Sequence, residues 1–141
     1  MSKLQLPLIK QLAREIAKGN TCYIERYNKK ITVIDHSTED AKEIAAQEEA
    51  LALVEKKIEN HLKLEKLSTE DQIEIMSYFI DEVADKSIRK QLSNGLKRKN
   101  PIRNFMQTIE SDMELNQQWR IFKFEEYQRW VSNFIIDAYN Y

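Results

Sequence analysis

Apolar positions along this chain recur mostly at three- and four-residue spacing, the period of a helix with one buried face. Leu8, Leu12 and Ile16, with Ile9 and Ala13 beside them, predict a first helix. Pro7 can open it, because a proline at the first helical position forfeits no hydrogen bond. Gly19 can stop it, because glycine enters the left-handed cap conformation cheaply. The pattern then changes. CYIERYNKKITVID carries Tyr23, Ile24, Tyr27, Ile31, Val33 and Ile34, the aromatic and β-branched content of strands. Asn28-Lys29 sits where a two-residue hairpin turn would fall. An isolated hairpin is marginal in water, so it needs a helix or a third strand against it. HLKLEKL, residues 61–67, alternates Leu62, Leu64 and Leu67 imperfectly with charge. It reads as that third strand, in preference to an extension of the helix before it.

Helical spacing governs the rest. Ser37 to Asp40 has the S-x-x-[DE] form of a capping box and opens a helix running to about Asn60, with Ile44, Leu51, Val54 and Ile58 along one stripe. Gln47 and His61 interrupt that stripe where a coiled coil would place apolar residues. Ser68 to Asp71 is a second capping box, followed by Ile73, Met76, Phe79, Ile80 and Val83. Ile88 and Leu92 predict a short helix that Gly95 disturbs or ends. Asn100-Pro101 reads as cap and first-turn proline ahead of Ile102, Phe105, Met106 and Ile109. Ser111 to Glu114 is a third box, before Leu115, Trp119, Phe122, Tyr127, Trp130, Phe134 and Ala138. The expected fold is α+β: a small antiparallel sheet, made of an N-terminal hairpin plus a third strand, with a mostly helical C-terminal half. With no repeat and no Gly/Ser linker, residues 1–141 are expected to form a single domain, residues 8–67 supplying the sheet and its helices and residues 68–141 the helical part.

This order of elements, with IMSYFIDEVADKSIRKQLSNGL, then PIRNFMQTI, then WRIF, resembles the bacterial uncharacterised protein family one-five-eight. The resemblance spans roughly residues 8–137 and is most specific at Ile75 to Asp81, Arg103-Asn104-Phe105 and Trp119 to Phe124. It implies a compact cytoplasmic α+β domain and carries over no catalytic or binding residue. Asn28-Lys29-Lys30 departs from the glycine turn common in the family's hairpin.

Composition narrows the picture. Apolar residues make up 42% and charged residues 32%, enough apolar content for a folded core. The net charge of −1 gives the whole molecule no strong pull toward nucleic acid or anionic membrane. Cys22 is the only cysteine, which excludes an internal disulfide and a cysteine metal cage and fits a reducing cytoplasm. The N-terminus places Lys10 and Arg14 inside its apolar run, unlike a signal peptide. No apolar run approaches the roughly 20 residues of a membrane span. The expectation is a soluble cytoplasmic protein with no membrane partner.

Recognisable catalytic chemistry is absent. Two glycines, Gly19 and Gly95, cannot build a phosphate loop or a dinucleotide fingerprint, and neither G-x-S-x-G nor H-E-x-x-H occurs. His36 and His61 lie far apart, and an exposed turn histidine outweighs a metal ligand at His36. Glu55 and Glu59 share a helical face only as part of a solvated charged run. Cys22 reads as a small core residue. No catalytic residue, metal ligand or cofactor is assigned.

One charge feature stands out. Lys86 to Asn104 holds seven cations and no acid, leaving 15 cations against 23 acids on the other 122 residues. Lys97, Arg98, Lys99 and Arg103 are therefore the candidate anion-binding residues, beside a helix start that favours anions. The competing reading is a charged shoulder that complements a helix end or is neutralised within the molecule. Eight of the 13 aromatics fall at Trp119, Phe122, Phe124, Tyr127, Trp130, Phe134, Tyr139 and Tyr141. Core packing is the first reading, with a modest interface for a protein partner or weak homo-oligomer from the surplus rings. The leading expectation is a non-enzymatic binding protein. Weak, non-specific nucleic-acid binding and an enzyme without a recognisable motif are the alternatives.

Overall fold

A computed structural model describes residues 6–139. Its elements run α1 (Leu6–Ala17), β1 (Thr21–Glu25), β2 (Ile31–Ile34), α2 (Ala41–Glu55), a 3-10 turn (Ile58–Asn60), β3 (His61–Leu64), α3 (Thr69–Glu82), α4 (Lys86–Leu96), α5 (Pro101–Glu110) and α6 (Met113–Tyr139). The fold is α+β, with a three-stranded antiparallel sheet in the order β2-β1-β3. The chain divides into two compact units. One holds residues through Lys66 and those from Tyr127 on, and the other holds Leu67–Glu126.

In the first unit, α1 buries Ile9, Leu12, Ala13 and Ile16. It ends at Gly19, whose φ of +87° and hydrogen bond to the Ile16 carbonyl give the predicted left-handed stop. β1 is central and nearly fully buried, with Cys22, Tyr23 and Ile24 in the core. β3 adds Leu62 and Leu64 on one face while Lys63 points outward, the alternation of a half-covered strand. The third strand expected from residues 61–67 is therefore present, but four residues long. Tyr127, Val131 and Ile135 of α6 complete this core, and the Tyr139 hydroxyl donates to the Arg26 carbonyl in the hairpin.

Three local expectations fail for physical reasons. Asn28-Lys29 does not form a two-residue turn. The loop spans residues 26–30, with Lys29 at φ 61° and the Glu25 carboxylate accepting from the N–H groups of Tyr27 and Asn28. That carboxylate organises the loop and replaces the turn geometry. Next, Ser37 does not start a helix. α2 is capped by Asp40, which accepts from Lys42 N at 2.8 Å and Glu43 N at 3.4 Å, while Ser37 donates back to Asp35. A carboxylate at the cap also meets the positive end of the helix dipole. Finally, the α2 stripe is not core. Only Val54 is buried, and Ile44, Leu53 and Ile58 are exposed. The helix is held at its flank by Gln47, whose amide accepts from Asp35 N at 2.6 Å and donates to Asp35 O at 3.3 Å.

In the second unit, Ser68 caps α3 as expected, its hydroxyl accepting from Asp71 N at 3.1 Å. Ile75, Met76, Phe79 and Val83 are buried. Leu92 of α4, Phe105 and Ile109 of α5, and Leu115 and Trp119 of α6 join the core. Phe79, Phe105 and Trp119 meet edge to face at centroid distances of 4.9–6.3 Å, the favourable arrangement for ring quadrupoles. The third box shifts like the first: Asp112, not Ser111, caps α6, accepting from Leu115 N at 3.1 Å. Gly95 does not end α4 but lies buried within it.

Candidate functional site

The acid-free segment folds into the α4–α5 helical hairpin. Asp85 opens it, its carboxylate accepting from the N–H groups of Ser87 and Ile88. Leu92 faces the core, and Gly95 brings the two helices close. A Cβ at Gly95 would stand 3.2 Å from the Asn104 Cβ, so only glycine fits this crossing without displacement. The chain then reverses over Lys97 to Asn100. Asn100 takes the left-handed conformation at φ 59°, ψ 58°, and Pro101 starts α5.

Asn104 holds the reversal in place. Its side-chain Nδ2 donates to the Gly95 carbonyl at 3.0 Å and the Lys99 carbonyl at 2.8 Å, and its backbone N donates to Asn100 O at 3.0 Å. One side chain thus adds a second donor to the Gly95 carbonyl, which also accepts from Arg98 N at 3.3 Å, and pins the last residue before the left-handed step. Phe105 and Ile109, on the opposite side of α5, are fully buried and anchor the hairpin. The two parts of residues 95–109 divide accordingly. The apolar ladder is core, and the cations ride on a fixed, solvated turn.

Lys97, Arg98, Lys99 and Arg103 are all exposed. None of the four makes an ion pair among the described residues. Lys97 to Lys99 lie at the negative end of α4, where cations are favoured. Arg103 stands in the first turn of α5, at the positive end of a helix dipole. No acid occupies that turn, and the Asn100 side chain makes no capping hydrogen bond. Arg103 and its three neighbours repel one another without an internal counter-charge in contact. A bound anion would relieve that repulsion.

The other candidates separate cleanly. Cys22 is buried, and burial pushes its thiol up to about 12. His36 is exposed, its Nε2 2.8 Å from the Thr21 hydroxyl. Glu55 and Glu59 do not share a helical face, because α2 ends at Glu55 and Glu59 lies in the 3-10 turn. His61 pairs across the sheet with Glu25, and its Nδ1 lies 2.8 Å from the Lys57 carbonyl. The carbonyl can only accept, so in this contact Nδ1 carries the proton. The Asn28 N–H, ahead of the Tyr27 N–H, holds the Glu25 carboxyl below its usual range. Glu25 and His61 line a shallow 140 Å³ cleft with Lys30, Thr32, Ala50, Leu53 and Val54. Among the described residues no three His, Cys, Asp or Glu side chains converge as a metal ion requires.

The aromatic residues of α6 divide between core and surface. Trp119 and Tyr127 are buried, Phe122, Phe124, Trp130 and Phe134 are half-buried, and Tyr139 is exposed. Trp130 and Phe134 stack at 5.9 Å. Tyr141 lies outside the described residues. Among the described residues no helix is long and apolar enough to cross a membrane.

The sequence profile described as Uncharacterised protein family (UPF0158) matches residues 3–139. A UPF0158 protein of Pseudomonas aeruginosa is 26% identical over 115 residues, which cover 82% of this chain and 71% of that relative. No solved structure matches the chain significantly.

Proposed function

The chain belongs to the uncharacterised protein family UPF0158, and from that premise we propose that it is a non-enzymatic binding protein of the cytoplasm. Its α4–α5 turn docks an acidic surface on another protein. One observation carries the reading: Lys97, Arg98, Lys99 and Arg103 are exposed, outside any ion pair, and gathered around a turn that Asn104 immobilises. A rigid turn presents its charges with little ordering cost on binding, which favours specific docking over diffuse attraction. The overall charge of −1 favours a protein partner over nucleic acid, since nucleic-acid domains are usually basic as a whole. The single buried cysteine supports the reducing compartment.

Fluorescence anisotropy with a labelled poly-glutamate peptide, a duplex DNA and a single-stranded RNA tests this reading. The acidic peptide should bind at low salt, and changing Lys97, Arg98 and Lys99 together to Gln should abolish that binding with the melting temperature unchanged. Failure of the wild type to bind any of the three probes would refute the proposal. The acid-free 19-residue segment favours a second reading, backbone contact with nucleic acid. Four cations limit its log-log salt slope to about −3.6, from roughly −0.9 per phosphate neutralised.

A further inference from the structure

The Leu67–Glu126 unit carries a second surface of opposite sign. Between α3 and α6 runs a 350 Å³ groove lined by Phe79, Glu82, Ala84, Gln118, Phe122 and Glu125, with Ile121 on its lip. A second depression of 190 Å³ shares Ala84 and Gln118 with it and adds Val83, Ile88 and Leu115. The two share lining and adjoin as one furrow, in which apolar Phe79, Phe122, Val83 and Leu115 alternate with polar side chains. Phe122 is half-buried, and Ile121 is 56% exposed on a helix that is otherwise well packed at Leu115 and Trp119.

The rim is acidic. Glu82, Glu125 and Glu114 are exposed, and none makes an ion pair among the described residues. Asp85 and Asp112 add negative charge but are committed to capping α4 and α6. No cation lines either depression. Glu82 and Glu125 stand on different helices but line the same depression.

We propose that this furrow is a docking groove for a cationic amphipathic helix of a partner protein, whose apolar side chains fill the floor over Phe79, Ile121 and Phe122 while its lysines or arginines meet Glu82, Glu125 and Glu114. Charge complementarity selects the occupant. An acidic or neutral helix would bury the floor equally well but leave the three carboxylates repelled or desolvated without partners. Apolar anchors spaced along one helical face suit a furrow lying along two packed helices. The cationic turn and this groove are separate surfaces, so either can fail without the other.

The test uses the full chain and two labelled 18-residue helical peptides with the same leucine pattern, one carrying lysine and the other glutamate at its polar positions. The lysine peptide should bind at least tenfold more tightly than the glutamate peptide at low salt. Glu82→Lys with Glu125→Lys should reverse that preference. Ile121→Ser should weaken lysine-peptide binding several-fold at low and high salt alike. The Lys97, Arg98 and Lys99 to Gln variant should bind that peptide as the wild type does. Ile121, Glu82 and Glu125 are exposed, so circular dichroism should show unchanged folding, and Glu125→Gln alone is the milder check. Equal binding of both peptides, no binding of the lysine peptide, or indifference to the Glu82 and Glu125 reversals overturns the proposal. Sedimentation supplies a further refutation: a wild-type self-associated species lost in both the glutamate and the Lys97–Lys99 variants would make a second copy of the chain the occupant.

Discussion

Gly95→Ala sets two opposing effects against each other. In a helix interior alanine is favoured over glycine by roughly 1 kcal/mol. Gly95 lies one residue from the end of α4, so the gain is at most that. Opposing it, the new Cβ would meet the Asn104 Cβ at 3.2 Å, the Asn104 carbonyl carbon at 3.6 Å and the Phe105 N at 3.7 Å. None of these is the far end of a flexible side chain. Asn104 is also held by its bonds to Gly95 O and Lys99 O, each worth about 1 kcal/mol net. Phe105 beyond it is fully buried. The helices must separate or the amide contacts must lengthen, and overpacking of this kind costs about 1–3 kcal/mol. The overpacking term wins, and Gly95→Ala should destabilise by about 1 kcal/mol net. Urea denaturation with an unchanged slope measures it. In the Asn104→Ala background, where the amide no longer resists displacement, the same change should cost less. Stabilisation of the wild type by Gly95→Ala would refute the close crossing and with it the rigid turn on which the binding proposal depends.

Ser68→Ala should cost about 1 kcal/mol in the same assay, because the Asp71 N–H loses its acceptor, and an unchanged midpoint would exclude the cap. Trp119→Ala should cost about 3–5 kcal/mol as a fully packed core ring, whereas half-buried Trp130 should cost clearly less; equal losses would contradict the difference in burial. Cys22 should resist iodoacetamide at pH 8 until urea unfolds the chain, and prompt alkylation of the native protein would contradict its burial. Burial raises the folded thiol to about 12, so the folded state keeps a proton that the unfolded thiol begins to release near its ordinary value of about 9. Stability should therefore be insensitive to this group below that value and fall as pH climbs from there toward about 12, and a Cys22→Ala variant should lack that component of the decline.

The three serine capping patterns show how far local sequence reaches. Each places an acid three residues after a serine, and the serine is the cap only at Ser68. At the other two, Asp40 and Asp112 take the role, because an aspartate can itself accept from the first-turn N–H groups and bears the charge the helix start favours. The pattern locates a helix start to within a few residues but does not choose between two competent caps. Alternation in residues 61–67 was enough to read β3, since a hairpin must be covered by something. The α2 stripe misled because helical spacing records which residues share a face, not whether another element covers that face. For the candidate site, the cations were plain in the charge run. Asn104 was not, because a side-chain amide reaching back nine residues is a property of the helix crossing that Gly95 permits. The acidic furrow was equally hidden, since Glu82 and Glu125 lie 43 positions apart and meet only through packing of α3 on α6.

Gln47 has a bearing on solubility. β2 is an outer strand of the sheet, and outer strands offer unpaired backbone groups that can recruit strands from other molecules. Just past the end of β2, the Gln47 amide occupies both the N–H and the carbonyl of Asp35, as a neighbouring strand would. A helix with little buried surface of its own thereby blocks one end of the sheet's open side. Gln47→Ala would leave the Asp35 pair free, and proteolysis within α2 would uncover more. Either change should first show itself as thioflavin-positive aggregation under conditions where the native fold is still intact.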